Sequence, residues 1–257
     1  MKVEILGAHN TETDIARLPA LLVDDVAALD AGGLTSSLPL ERQHGIKAVL
    51  LTHHHFDHTR DLIMLGANDT APSSTVDVYG LRDTLEVVYM YLLDGKLYKD
   101  YTAWPSLEAP RLRLKPIAPL QKFIVQGLTI MPVAVSHSAP AVGYQVTSAE
   151  GRSIFYVGDT GTGLSECWEH ISPDVLLVEV TGLNRMGDAM TKLRHLTPRM
   201  LVDELVKFRE AKGHLPRVIA THIPVIYEEE LRDELAEVGK ELEMEMEVAY
   251  EGLVIEL

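Results

Sequence analysis

The chain has 257 residues, 46% of them hydrophobic, and 38 acidic against 23 basic side chains give a formal net charge of −15. That length supports a full core in one large domain or at most two, and no apolar run approaches the roughly 18–20 residues of a membrane helix. The acidic balance and the lack of a Lys/Arg-rich run disfavour a long polyanion such as DNA or RNA as a partner.

The elements expected along the chain are of α/β type. VEIL opens a first strand, with Glu4 and no long apolar segment where a secretory leader would need one. The LGAHN stretch that follows could present backbone N–H groups to a ligand, with His9 itself incidental. PALLVDDVAALDAGG predicts a hairpin turning at Asp24-Asp25, and IKAVLLT predicts the next strand. A short helix is expected from Asp57 and a longer one over 81–93, LRDTLEVVYMYLL. The segment 94–110, with Tyr98, Tyr101, Trp104 and two prolines, is the least regular, and reads as an insertion, a lid or a packed surface loop. RLRLKPI, KFIVQG, LTIMPVAVS and GYQVTS predict successive strands joined by antiparallel turns. SIFYVGD, PDVLLVEV and PRVIATH have the continuous apolar character of strands buried on both faces. The single cysteine, Cys167, excludes an intrachain disulfide and favours a cytoplasmic setting. In KLRHLTPRMLVDELVKF, residues 192–208, Thr197 is a good N-cap, Pro198 fits the first helical position and Leu196 can staple onto Leu201. That fixes a helix with Leu201, Val202, Leu205, Val206 and Phe208 on one face, and leaves His195 in the loop before it. The acidic EEELRDELAEVGKELEMEME reads as a solvated helix running into a strand. With no repeat and no linker, one domain over 1–257 is expected.

The stretch LTHHHFDHTRD, residues 51–61, holds four histidines and two aspartates. In an extended segment alternate side chains share a face, so His53 and His55 point one way and His54 the other. Asp57 and His58 follow at the helix start, which turns them back toward the same region. Imidazoles and a carboxylate at this spacing suit Zn, Mn or Fe. A lone histidine is more often a core or surface residue, but four ligand-type residues in an H-x-H-x-D-H pattern point to metal. Three further apolar runs stop at a ligand-type residue: VAVSH at His137, IFYVGD at Asp159 and RVIATH at His222. Taken singly, these would be a loop residue, a turn former and a cap. Together with His53 they mark four strand ends, where α/β proteins collect their sites.

HHHFDH, SHS, GDT and ATH, in that order, resemble the metallo-β-lactamase superfamily over nearly the whole chain. The resemblance implies an αββα sandwich of two mixed sheets with helices outside and metals at one edge. It implies that His53, His55 and His137 hold one divalent ion, that Asp57, His58 and His222 hold a second, and that Asp159 bridges them. Zn is the first expectation, with Mn or Fe as alternatives. Asp159 stands where many lactamases use Cys, which directs the expectation toward hydrolases of phosphodiesters, lactones or thioesters. HLTP before an amphipathic helix resembles the class II cyclic nucleotide phosphodiesterases and, more distantly, tRNase Z. This makes His195 a catalytic histidine beside the metals, with Asp57 both ligand and orienter of the nucleophile. Phe56 departs from the Leu usual in the class II pattern. The short stretch between His137 and Asp159 leaves no room for the arm that tRNase Z inserts there. The expected function is therefore hydrolysis of small phosphodiesters such as 3′,5′-cyclic nucleotides. Ranked below it are tRNA 3′ processing, lactone or thioester hydrolysis, and metal binding without catalysis. A small-molecule substrate, no membrane and possible homodimerisation complete the expectation.

Overall fold

The computed structural model describes residues 1–68 and 75–257. β1 (Lys2–Gly7) leads into β2 (Ala20–Val23) and β3 (Ala27–Leu29). Between the last two, Asp24 and Asp25 take φ of 48° and 58°, and Val26 N–H donates to the Val23 carbonyl at 3.0 Å. A left-handed pair of this kind matches the twist of a tight hairpin, and aspartate tolerates it. Then come α1 (Leu40–Gln43), β4 (Ala48–Leu50), α2 (Phe56–Thr59), α3 (Leu62–Asn68), β5 (Val76–Leu81), α4 (Arg82–Val88) and β6 (Leu112–Ile117). The helix expected over 81–93 is present but changes pitch, running from α4 into a π-helical turn over Tyr89–Leu93.

The second half contains β7 (Phe123–Val125), β8 (Leu128–Val135), β9 (Ala141–Thr147), β10 (Ser153–Tyr156), α5 (Ser165–Trp168), β11 (Val175–Glu179) and α6 (Gly187–Leu193). It ends with α7 (Pro198–Lys212), β12 (Arg217–Thr221), α8 (Glu228–Glu241), β13 (Met246–Val248) and β14 (Val254–Glu256). The strands form two seven-stranded mixed sheets, ordered β14-β1-β2-β3-β4-β5-β6 and β13-β12-β11-β10-β9-β8-β7. One expectation is corrected here. RLRLKPI does not pair with KFIVQG; as β6 it runs parallel to β5 in the first sheet, while β7 begins the second.

Three apolar layers hold the sandwich together. Leu50 of β4 and Leu177 of β11 face one another's sheets in the central layer. Their neighbours Val49 and Leu51 pack under α3 and α4, and Leu176 and Val178 pack under α5, α7 and α8. Each strand is buried on both faces, which explains its continuous apolar run. Among the described residues no helix is long and apolar enough to cross a membrane.

Parallel pairing of β3 with β4, and of β10 with β11 and β12, sends their carboxyl ends to common edges. The two edges meet closely. Gly158 has φ +67°, and a Cβ there would lie 2.8 Å from the Thr52 Cβ, so only glycine lets β4 and β10 end side by side. The irregular segment after the π-helical turn is anchored rather than detached. Tyr101 is buried, its carbonyl accepts from Leu112 N–H at 3.0 Å, and its ring packs where a Cβ on Gly66 would come within 2.7 Å.

Candidate metal centre

All seven residues singled out by motif converge where the two sheet edges meet. His53, His55, His137 and Asp159 form one group, and Asp57, His58, Asp159 and His222 form another, each with ligand-type atoms within 4.8 Å of one another. Asp159 is common to both. Its Oδ2 faces His53 Nε2 and His137 Nε2, each at 3.8 Å. Its Oδ1 faces His58 Nε2 at 3.2 Å and His222 Nε2 at 3.3 Å. Asp57 Oδ2 lies 3.4 Å from His222 Nε2, and His55 Nδ1 lies 3.2 Å from His137 Nε2.

The surrounding hydrogen bonds select the tautomer of four rings. His58 Nδ1–H donates to Asp30 at 2.7 Å, and His53 Nδ1–H to the Thr52 hydroxyl at 3.0 Å. His137 Nδ1–H donates to the Arg194 carbonyl at 3.3 Å, and His222 Nδ1–H to the Thr181 hydroxyl at 2.8 Å. Each ring then turns its Nε2 toward Asp159, the arrangement outer partners impose on metal-binding imidazoles, and the Nε2 of His58 becomes a lone-pair donor once a cation displaces its proton. The Thr52 hydroxyl in turn donates a hydrogen bond to Asp30 at 2.9 Å, and the Tyr156 hydroxyl donates to the same carboxylate at 3.0 Å.

Within this cluster His53 Nε2 is buried without a hydrogen-bond partner, and His58 Nε2 and Asp159 Oδ1 are satisfied only by a proton held between them across 3.2 Å. Leaving such an atom unsatisfied costs about 1–3 kcal/mol, a large fraction of the stability of an ordinary domain. A purely structural histidine cluster does not explain that cost. A divalent cation accepting the His53 lone pair does, and the nitrogen and carboxylate donor set fits it. Burial, reinforced by neighbouring imidazoles, holds His53 well below the usual histidine range and lowers His55 and His137 as well. These rings are therefore neutral and free to bind a cation. Burial also opposes charge on His58, but Asp159 and Asp30 outweigh it and raise that ring well above 6.5. Burial would raise Asp159 too, yet His222, His58 and His53 keep it well below the usual carboxylate range. His222 itself takes a left-handed φ of 59°, a strain of about 1–3 kcal/mol for a non-glycine residue that aims its ring into the cluster.

His195 stands beside the cluster, stacked on His222 with ring centroids 5.6 Å apart and 5.2 Å from His137. Thr197 caps α7, accepting from Met200 N–H at 3.4 Å. What holds the ring is a residue not singled out from the sequence. Glu179, fully buried, accepts from His195 Nδ1–H at 2.6 Å, the Thr181 hydroxyl at 2.6 Å, Thr160 N–H at 3.0 Å and Leu196 N–H at 3.3 Å. Burial works against a charged His195, but Glu179 outweighs it and raises the ring above 6.5.

Two backbone N–H groups of the LGAHN loop are already engaged within the fold. Ala8 N–H and His9 N–H donate to Glu251 and to the Arg17 carbonyl, and the His9 ring bonds Glu251 at 2.7 Å and Glu228 of α8 at 3.3 Å. His9 thus clamps the strand edge that carries His222. Burial disfavours its charge, yet the two carboxylates raise it above the ordinary 6.5. A raised pKa means that its stabilising contribution is complete below about 6.5 and is lost as pH rises through the folded-state value. His9→Gln should therefore lower the urea midpoint more at pH 6 than at pH 9; an equal loss at both would show that the charge contributes nothing.

A family model described as the beta-lactamase superfamily domain matches residues 21–223. Among solved structures, the metallo-β-lactamase fold protein YhfI from Bacillus subtilis is 20% identical with a TM-score of 0.77, covering 99% of each chain. Unliganded yeast PDE1 is 18% identical with a TM-score of 0.81, covering 100% of this chain and 99% of that one. The short form of human tRNase Z is 18% identical with a TM-score of 0.73 and the same coverage. No curated protein matches the sequence.

Proposed function

This chain belongs to the beta-lactamase superfamily, and from that premise we propose that it is a dinuclear metal-dependent phosphodiesterase acting on small phosphodiesters, with 3′,5′-cyclic nucleotides as the first candidates. The observation that carries the reading is the pair of donor groups sharing Asp159, with the Glu179–His195 pair beside them. His53, His55 and His137 would hold one ion and Asp57, His58 and His222 the other, with Asp159 between them. Zn is the first choice, and Mn and Fe fit the same donors. When bound, the ions supply Lewis acidity at a phosphoryl oxygen and an activated water at neutral pH.

The protein's own groups supply the remainder. His195 has its Nδ1 engaged by Glu179, so Nε2 is its free ring nitrogen, and Glu179 raises the ring's pKa, which favours a proton there. That proton can pass to the departing sugar or aryl oxygen. Glu179 is a positioning residue that fixes the ring and stabilises its charge. Asp57, partly exposed at the start of α2, is set to orient the attacking water as well as to hold an ion. The hairpin of β9 and β10 fills the chain between His137 and Asp159, leaving no arm to grip tRNA, and the net charge of −15 disfavours a large polyanion. tRNA processing therefore ranks second, and lactone or thioester hydrolysis third.

Purified protein should contain about two divalent ions per chain, because seven donors with one shared carboxylate exceed one tetrahedral site. In one metal background it should hydrolyse small diesters and leave pre-tRNA, lactones and thioesters nearly untouched. Full activity with one equivalent of metal would remove the dinuclear reading, and efficient pre-tRNA processing without action on small diesters would reverse the substrate ranking.

A further inference from the structure

An apolar cavity lies beside the metal centre. His54, a member of neither donor group that shares Asp159, lies between His53 and His55, its ring perpendicular to that of His55 with centroids 5.5 Å apart. Phe56 lies between His55 and Asp57 and is 64% exposed. Facing them are Val87 and Val88 of α4, Tyr91 of the π-helical turn, and Leu97 of the segment anchored by Tyr101. Tyr91 and Leu97 are 73% and 70% exposed. Together these residues line a cavity of about 230 Å³.

Three features define its occupant. The volume lies below the roughly 300 Å³ at which pockets begin to hold drug-sized ligands, so it suits one ring of a substrate rather than the whole. Three of the lining side chains are themselves rings, which favour an aromatic partner in stacked or edge-on contact. Finally, the His54 ring in the cavity wall lies 5.5 Å, centroid to centroid, from that of His55, a proposed metal ligand, so a ring seated there can belong to a molecule whose phosphate lies at the centre. The protein's net charge of −15 repels an anionic substrate at long range, and apolar contact is the attraction available outside the metal site itself. We infer that this cavity is the subsite for an aromatic ester group of the substrate, a nucleobase or aryl ring, and that Phe56, Tyr91 and Leu97 determine specificity for it. The inference rests on the phosphodiesterase reading for the identity of the substrate.

The test uses metal-loaded protein and two single variants, Tyr91→Ala and Leu97→Asp. Both side chains are largely in water, so the fold should survive, and circular dichroism checks this. Binding of 1-naphthyl phosphate is followed by its fluorescence, and inorganic phosphate and hexyl phosphate are measured by competition. Burying or losing an apolar ring is worth about tenfold or more in affinity. The preference for naphthyl phosphate over inorganic phosphate should therefore fall about tenfold in each variant. An unchanged preference in both variants overturns the inference. Tighter binding of hexyl than of naphthyl phosphate also overturns it, because the occupant is then an alkyl chain. Turnover of bis(4-nitrophenyl) phosphate is measured alongside. A protein that turns over no diester, yet loses naphthyl phosphate binding in the variants, retains the subsite and loses the phosphodiesterase reading.

Discussion

Asp159→Ala is expected to lose metal and activity together. The carboxylate faces four imidazole nitrogens, two from each oxygen, at 3.2–3.8 Å. Among the described residues no other buried carboxylate is placed to serve both donor groups. Asp57 belongs to one group only, and Asp30 lies behind His58, bonded to its Nδ1. Removing Asp159 therefore lowers the charge of both sites at once and leaves His58 and His222 facing a void. The effect should exceed the roughly 10–100-fold loss of metal affinity usual when an outer hydrogen-bond partner is removed. Asp30→Asn provides that comparison, since the amide can still accept from His58 but carries no charge. Metal content by chelator titration, together with kcat on a small diester, separates the two variants. An Asp159→Ala protein that keeps two ions would falsify the bridging role.

The legible part of this site is the part whose signal is local. His53, His55, Asp57 and His58 are four residues within a span of six positions, so their side chains stay close to one another. His137, Asp159 and His222 are distant in sequence, but each follows an apolar run, and parallel strands bring such ends to one edge. Glu179 and Asp30 satisfy the same strand-end criterion, at the close of LLVE and LD. They were not separable from ordinary acidic turn residues because their roles lie in contacts made across the fold. Tyr156 reaches Asp30 over 126 positions, and Thr181 matters only because it links Glu179 to His222.

The sandwich was legible for a similar reason. Leu176 and Val178 face the helices while Val175 and Leu177 face the opposite sheet, so burial on both sides is written into consecutive residues. Partner choice at β6 was not. Adjacent strands usually pair, which favours an antiparallel match with β7. The chain instead crosses to the other sheet after Ile117, and nothing in RLRLKPI distinguishes the two outcomes. The π-helical turn at Tyr89–Leu93 was hidden too, because one residue more per turn barely alters an apolar helical pattern.

His195→Ala should keep both metals and lose catalysis. None of the seven proposed ligands is altered, and the contacts of His195 to that shell are ring contacts, with His222 and His137. Loss of a general acid or of a charged donor to the transition state costs roughly 10²-fold in kcat. The loss should be largest for a diester with an alkoxide leaving group and smaller for a nitrophenyl ester, whose leaving group departs without a proton. Glu179→Gln refines the argument. Its amide oxygen can still accept from His195 Nδ1–H and Thr160 N–H, while the amide NH2 meets the Thr181 hydroxyl and Leu196 N–H in place of an acceptor. The carboxylate charge that raises the His195 pKa is gone, however, and the histidine gives up its proton at lower pH. On a poor leaving group the variant should therefore lose less than His195→Ala, and its remaining activity should fall off earlier as pH rises. Metal content must be measured in both proteins, because Glu179 also supports His222 through Thr181. If His195→Ala sheds metal, the histidine is a ligand. If it retains full kcat on an alkyl diester, His195 serves only the start of α7, and the proton-donor role fails while the dinuclear centre stands.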